Sequence, residues 1–414
     1  MPVEHLYVHV PYCATKCRYC AFYSLTDGDA SMAGYVDAVL AELHLYRHLD
    51  LRPRTFFFGG GTPSLLPVPL WQKLLAALPV KDVEEFTIEC NPATVTREKL
   101  DTWRAGGVNR LSLGVQSFDA GLLEVLGRIH SAPQAIETFQ LMRTAGFDNI
   151  NVDLMFALPG QTPAQWRDTL AQAIALQPEH ISAYNLTLEE DTEFFRQAIT
   201  IPVPEEQVAY YETTVATLAA AGYEQYEISN YAKPGRECAH NLAYWRIADY
   251  LGLGPSACST IGPRRWENIS HTGQYIASLQ PALVPVGAIA EDRVSSDSAF
   301  RSRPASGNGI AGRSPLPQEF LLGASDVDQP ALDSLPCPKI IASEEHLTPA
   351  QKDGERAAFG LRTRRGIPSH LVRGRWDAEI AELEADELVE WTGDSLRLTQ
   401  RGLHYADEVA ARFV

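Results

Sequence analysis

Apolar and polar positions along this chain fall into two repeating textures. Short runs rich in β-branched and aromatic residues occur at HLYVHV from His5, TFFF from Thr55, EFTIE from Glu85, RLSLGV from Arg110, NINVDLMF from Asn149 and HISAYNLTL from His180. Each is followed by a stretch with helical period, so the pattern predicts six strand–helix units feeding a parallel sheet. Glycines in RAGGV (Arg104 to Val108), TAGF (Thr144 to Phe147) and AAGY (Ala220 to Tyr223) stand where a helix must close before the next strand. Right-handed winding of such units predicts an α/β fold, a partial (β/α)6 barrel open on one side, with a doubly wound open sheet as the alternative.

The barrel is assigned to residues 1–225. A helix is expected from Glu205 to Ala221, followed by YEQYEISNYA from Tyr223 and HNLAYWRIADYLGLGPSA from His240, and 226–284 reads as an accessory region packed on the barrel. From 285 to 343 the texture turns to Ser, Gly, Pro and Arg without an apolar period, which predicts a poorly ordered insertion. Residues 344–414 regain helical patterning and then read helix, strand, turn, strand, helix, a winged-helix-like domain.

Length and charge narrow the partners. With 414 residues the chain can bury a large core. Its 52 acidic against 35 basic side chains give a formal charge of -17, which opposes a phosphate backbone, so nucleic acid is not an expected partner. No signal-peptide pattern opens the sequence and no run approaches the about 20 apolar residues of a membrane helix, so a cytoplasmic protein is expected. The seven cysteines are odd in number and three crowd into eight positions, which suits metal or redox chemistry in a reducing compartment better than disulfides.

Those three, Cys13, Cys17 and Cys20, directly follow the first strand, so three thiolates share one tight loop at its C-terminal end. Fe–S cubanes usually take four cysteines; a local set of three leaves one iron open to an outside ligand. A zinc site completed by His5 or His9, or three core cysteines, are the other readings of the spacing alone. The second strand ends in Gly59-Gly60-Gly61-Thr62-Pro63, where the backbone can approach a ligand and offer N–H donors to a carboxylate, or simply turn. Glu89, Gln116 and Asp153 end the next three strands and Arg128 lies on the following helix. In a barrel these meet on one rim, where carboxylates grip an amine or ribose and Gln and Arg grip a carboxylate.

The series Y-x-H-x-P-Y-C-x3-C-x-Y-C from Tyr7, then GGGTP, then a strand-end Glu resembles the radical-SAM superfamily. The likeness is to the branch holding the oxygen-independent coproporphyrinogen dehydrogenases and the HemW haem chaperones. It runs from about residue 5 to 280 and resumes near 347. The resemblance implies a [4Fe–4S] cluster that binds the amine and carboxylate of S-adenosylmethionine (SAM) and donates the electron that cleaves its sulfonium. It assigns SAM contacts to Tyr7, Tyr19, Gly60, Gly61, Thr62, Glu89, Gln116, Arg128 and Asp153, the later ones through LSLGVQSF, LGRIH and NVDLMFALPGQT.

Within the branch the dehydrogenases resemble C-x3-C-x2-C-x-C, whereas Phe22 stands at the last position here, and only six residues precede Tyr7 where they carry an extension. Both departures direct the expectation to the chaperones, with coproporphyrinogen III dehydrogenation as the alternative. The resemblance extends to H-N-x-x-Y-W, here His240, Asn241, Tyr244 and Trp245, associated with haem in the HemW group. On a helix His240 and Tyr244 share one face and Asn241 and Trp245 another, as haem contacts or as local caps and core. Recipient apo-haemoproteins, often respiratory, and an electron donor are the implied partners. Cys90 is expected as a buried thiol, and Cys258 as a core thiol or a neighbour of the SAM adenine. Cys337, His180, His271, His346 and His370 are given no role.

Overall fold

The computed structural model describes residues 2–26, 32–80, 83–279 and 339–414. Strands and helices alternate as β1 (Val3–Val10), α1 (Met32–Leu45), β2 (Leu51–Gly60), α2 (Val68–Ala77), β3 (Glu85–Cys90), α3 (Arg97–Ala105), β4 (Arg110–Gln116), α4 (Ala120–Leu126), α5 (Ala132–Thr144), β5 (Ile150–Phe156), α6 (Pro163–Ala175) and β6 (His180–Asn185). The six predicted strands are all present. After them come α7 (Glu193–Arg196), α8 (Pro204–Ala220), β7 (Glu224–Gln225), β8 (Asn230–Ala232), α9 (Ala239–Trp245), β9 (Tyr250–Leu253), β10 (Cys258–Ile261), β11 (Arg264–Asn268) and α10 (Thr272–Leu279). Residues 339–414 hold β12 (Ile341–His346), α11 (Pro349–Leu361), β13 (Ile367–Pro368), α12 (Asp377–Ala385), β14 (Val389–Thr392), β15 (Ser395–Leu398) and α13 (Ala406–Ala410).

Twelve strands form one sheet in the order β12-β11-β10-β9-β1-β2-β3-β4-β5-β6-β8-β7. From β9 and β1 through β6 every neighbouring pair is parallel. A doubly wound sheet reverses its strand order at the middle; β1 to β6 do not, so right-handed crossovers send their helices to a single face. That is the partial barrel, and it disposes of the open-sheet alternative.

The two faces separate by alternation. Leu6, Val8, Phe56, Phe58, Phe86, Ile88, Leu111, Leu113, Val152, Leu154 and Ile181 point to the helices and join Trp71, Trp103 and Trp166 in the main core. The intervening residues point inward and are mostly polar: His5, Tyr7 and His9 on β1, Glu85, Thr87 and Glu89 on β3, Arg110 and Ser112 on β4, Asn151 and Asp153 on β5, His180 and Ser182 on β6. A face lined this way holds ligands or water instead of a packed centre.

Two predicted boundaries differ from the structure. The cut at 225/226 falls inside the β7–β8 hairpin, and the accessory strands do not form a separate layer but extend the barrel sheet at both edges. The cut at 343/344 falls inside β12, whose Glu344 and Glu345 pair with Arg264 and Arg265 of β11. The rest of the predicted insertion, 285–338, lies outside the described residues. Residues 349–414 show the expected helix, strand, turn, strand, helix pattern, with sheet order β13-β15-β14 and a second core that Trp245 of α9 joins.

Glu42 of α1 ties the accessory strands to the barrel. It is fully buried, and its carboxylate accepts from the Tyr275 hydroxyl (2.5 Å), the Gly254 N–H (2.8 Å) and the Asn268 amide (2.7 Å). Burial lifts its carboxyl to about 7 against these hydrogen bonds. An unfolded glutamate titrates near about 4.3, so the folded chain holds an extra proton between the two values. The resulting stability is complete below that window and is lost as pH rises through about 7. Glu42→Gln should flatten the pH dependence of urea denaturation there by on the order of 1–3 kcal/mol; an unchanged slope would show that Glu42 does not titrate in this window.

Candidate cluster and cofactor site

The cysteine loop is clipped to the glycine turn by backbone hydrogen bonds. Gly61 N–H donates to the Val10 carbonyl (2.8 Å) and Thr62 N–H to the Tyr12 carbonyl (2.7 Å), while Cys13 N–H donates to Leu25 (2.8 Å) and Leu25 N–H to Pro11 (2.6 Å). Across the loop, Arg18 N–H reaches Leu126 (3.2 Å). The thiols of Cys13, Cys17 and Cys20 stay partly exposed, whereas Cys90 and Cys238 are buried. Burial raises the Cys13 thiol against hydrogen bonds from Thr62 and Ser24, and burial pushes Cys20 up to about 11. Ligation would therefore have to displace protons.

The glycines are needed for packing. At Gly60, φ is +98° and a Cβ would fall 2.5 Å from the His9 ring; at Gly61 it would fall 2.7 Å from the carbonyl oxygens of Tyr12 and Val10. One expectation is overturned here. The N–H groups of Gly61 and Thr62 serve the cysteine loop, and that of Gly60 donates to Glu89, so none is open to a ligand carboxylate.

Around this rim the structure gathers the predicted polar residues in two groups. Glu89 lies against Gly59 and Gly60, near Asp153 and Tyr7. Burial, helped by the Asp153 charge, raises its carboxyl to about 8. Burial also raises Asp153, which accepts from Ser112 Oγ (3.0 Å) and Asn151 Nδ2 (2.7 Å). Both carboxylates are still reached by solvent although protein surrounds them, the situation of groups lining an interior space. Tyr7 has its hydroxyl 3.2 Å from His9 Nδ1.

The second group adjoins the cluster loop. Arg128 donates to the Gly114 carbonyl (2.5 Å) and to Cys17 Sγ (3.5 Å), and its buried Nε has no partner among the described residues. Gln116 reaches over Gly114 beside it, with a left-handed φ of +66° that a glutamine adopts at a cost. Thr62 Oγ1 donates to Cys13 Sγ (3.5 Å), and Tyr19 packs at the rim with Met155, Leu158 and Phe194.

The H-N-x-x-Y-W residues lie on α9, as the sequence predicts, but at the other end of the barrel. Their neighbours are the first inward residues of the strands, while the cluster loop sits at the last. His240 is buried; Nδ1 is 2.7 Å from Thr55 Oγ1, Nε2 is 3.2 Å from the Tyr244 hydroxyl, and its ring stacks on Phe57. Burial drives its pKa to about 3, so the imidazole is neutral. Asn241 donates to the Tyr226 hydroxyl (3.4 Å), and Trp245 is buried in the second core against Phe359. The four residues thus form no open platform: His240 and Tyr244 bond to each other, Asn241 joins the Tyr226 hydroxyl that also meets inward-facing His180, and Trp245 alone lies in the second core.

Sequence reasoning missed what joins the ends. His180, given no role, has Nδ1 2.6 Å from Asn151 Oδ1 and Nε2 2.8 Å from the Tyr226 hydroxyl, linking Asp153 to α9. Glu85 accepts from the backbone N–H groups of Ala239 (2.8 Å) and His240 (3.0 Å). Polar residues at every second position of otherwise apolar strands were the available signal. Cys258 lies near Tyr7, Tyr244 and Tyr250, and Cys337 is outside the described residues.

Three partly exposed thiols on one loop are a soft donor set suited to an Fe–S cluster, and the Arg128 guanidinium beside Cys17 favours an anionic one. Among the described residues no three His, Cys, Asp or Glu side chains gather as a single metal ion requires, and no helix is long and apolar enough to cross a membrane.

Comparison with known proteins agrees with this geometry. Residues 7–173 match the model of the Radical SAM superfamily. The chain is 37% identical over 285 residues to the haem chaperone HemW of Bacillus subtilis, an alignment covering 66% of this chain and 75% of that protein. Against HemW of Escherichia coli it is 41% identical over 264 residues, covering 62% and 70%. Among solved structures it is similar to the radical SAM enzyme coproporphyrinogen III oxidase HemN of Escherichia coli, with a TM-score of 0.75 over 100% of this chain and 90% of that one; at 21% identity this likeness speaks for the fold alone.

Proposed function

This chain belongs to the radical SAM superfamily, in the family of the HemW haem chaperones, and from that membership we propose that it carries haem and hands it to apoproteins. Membership brings a [4Fe–4S] cluster and SAM as cofactors. We assign the cluster to Cys13, Cys17 and Cys20, and SAM to a wall made by Tyr7, Tyr19, Gly60, Gly61, Thr62, Glu89, Gln116, Arg128 and Asp153. When bound, the cluster supplies one open iron and a low-potential electron.

The remaining work falls to the chain's own groups. With its N–H groups committed, the glycine turn can meet an ammonium only through carbonyl oxygens, which accept. Glu89 holds a proton at rest; a cation beside it would let that proton leave and the carboxylate bind. The unpartnered Nε of Arg128 is a donor in reserve for an amino-acid carboxylate. Haem contacts are assigned to His240, Asn241, Tyr244 and Trp245; the His240 imidazole, whose two nitrogens meet Thr55 and Tyr244 in this structure, would supply the iron ligand. Apo-haemoproteins, respiratory ones included, would receive the haem, an electron donor would reduce the cluster, and the exposed thiols suit the cytoplasm.

The observation that carries this reading is the 37–41% identity to HemW proteins; Phe22 in place of a further cysteine supports it against the dehydrogenase. Anaerobically reconstituted protein should form a stable haem adduct, pass it to an apo-haemoprotein and leave coproporphyrinogen III unchanged. Conversion of that substrate to protoporphyrinogen IX without a haem adduct would make the chain a dehydrogenase, and zinc in place of iron would remove the radical chemistry.

A further inference from the structure

Behind the Asp153 carboxylate runs a chain of hydrogen bonds that has only one sense. Asp153 of β5 accepts at both oxygens, Oδ1 from Asn151 Nδ2 (2.7 Å) and Oδ2 from Ser112 Oγ (3.0 Å). An ionised carboxylate can only accept, so the Asn151 amide turns its nitrogen to Asp153 and to Ser112 Oγ (2.7 Å). Its oxygen then faces Ser182 Oγ (3.2 Å) and His180 Nδ1 (2.6 Å). That oxygen needs a donor, so the imidazole proton sits on Nδ1, and the bare Nε2 accepts from the Tyr226 hydroxyl (2.8 Å). Tyr226 keeps its proton for this bond because the Cys238 N–H and the Asn241 amide both approach its oxygen as donors, each at 3.4 Å.

Exposure shows what the chain serves. Tyr226, His180, Asn151, Ser182 and Ser112 are buried, and Asp153 is the member that solvent reaches. Burial pushes the Asp153 carboxyl up, and the bonds from Ser112 and Asn151 pull against it. A proton on Nε2 of His180 in place of Nδ1 would favour the turned-over amide and set its oxygen against the carboxylate. In a buried network such a reversal is costly, because every link must change partner together.

We propose that His180 is a positioning residue for SAM: its Nδ1–H locks the Asn151 amide, the amide holds Asp153 as an acceptor for the donor groups of SAM, and Tyr226 sets the tautomer. The proposal rests on the assignment of Asp153 to the SAM wall. His180 acts from two bonds away and does not touch the ligand.

The test is SAM affinity of the full, anaerobically reconstituted chain, measured by equilibrium dialysis, with Fe–S absorbance as the check on cluster and fold. His180→Leu should weaken SAM about tenfold or more, the effect of losing a hydrogen bond that supports a charged group. His180→Asn, whose Nδ2 can stand where Nδ1 stood, should restore most of that loss, which a purely space-filling role would not allow. Tyr226→Phe keeps the ring and removes the proton that sets the tautomer, so it should weaken SAM in the same direction. If His180 works through Asp153, adding His180→Leu to Asp153→Asn should cost nothing further. Wild-type SAM affinity in both His180→Leu and Tyr226→Phe, with clusters intact, would overturn the proposal, and so would an undiminished further loss in the Asp153→Asn background. Wild-type affinity in Asp153→Asn itself would instead remove Asp153 from the SAM wall, the assignment on which the proposal stands.

Discussion

Replacing Cys17 by Ser should strip the chain of its cluster: iron and sulfide after anaerobic reconstitution should fall to background, and the brown Fe–S absorbance should disappear. The three thiols have no substitute, because a serine hydroxyl is a hard, protonated donor and the site is built from soft ones. Cys17 has a second tie, since Arg128 donates to its sulfur while holding the Gly114 carbonyl. Loss of the thiol therefore also frees the arginine proposed to receive the SAM carboxylate. The loop remains clipped to β2 by the bonds from Gly61 and Thr62, so thermal stability of the cluster-free protein should match that of cluster-free wild type. A brown chromophore of wild-type intensity in the variant would remove Cys17 from the ligand set.

Gly61→Ala should damage the same site without touching a ligand. Its Cβ would stand 2.7 Å from two carbonyl oxygens, Tyr12 and Val10, and backbone cannot swing aside as a side chain can. The ends of β1 and β2 must part, at a cost of about 1–3 kcal/mol. Because the Gly61 N–H is one of the clips on the cysteine loop, the expected result is a lowered unfolding midpoint together with cluster occupancy and SAM affinity reduced about tenfold or more. Gly34→Ala is the control. There the new Cβ meets Ile276 at an ordinary 3.5 Å inside α1, where alanine is the better helix former. Normal cluster loading in Gly61→Ala, measured as iron per chain, would show that the turn does not hold the loop.

What was legible in the sequence was whatever depends on neighbours along the chain. The six strands follow from apolar runs, and the helical period of H-N-x-x-Y-W brings His240 and Tyr244 together, while Asn241 and Trp245, expected on one face, meet different partners. Which partners those faces meet was not legible, because Thr55 and Glu85 approach from strands more than a hundred residues away. The glycine turn was found, yet its N–H groups were read as free; their acceptors are Val10 at the end of β1, Tyr12 just beyond it and Glu89 of β3, which come together only once β1, β2 and β3 pair. β12 was missed for a similar reason. Ile-Ala-Ser-Glu-Glu-His has little strand character of its own, and it pairs because β11 presents an edge whose Arg264 and Arg265 form ion pairs with its two glutamates.

Three cysteines of this chain are proposed to hold a cluster with one iron open to SAM. The most direct test is electron paramagnetic resonance of the reduced, anaerobically reconstituted protein before and after SAM is added. About four irons per chain and a signal whose g values shift on addition of SAM are expected. A signal indifferent to saturating SAM, or a chain that takes up no iron without air, would contradict it.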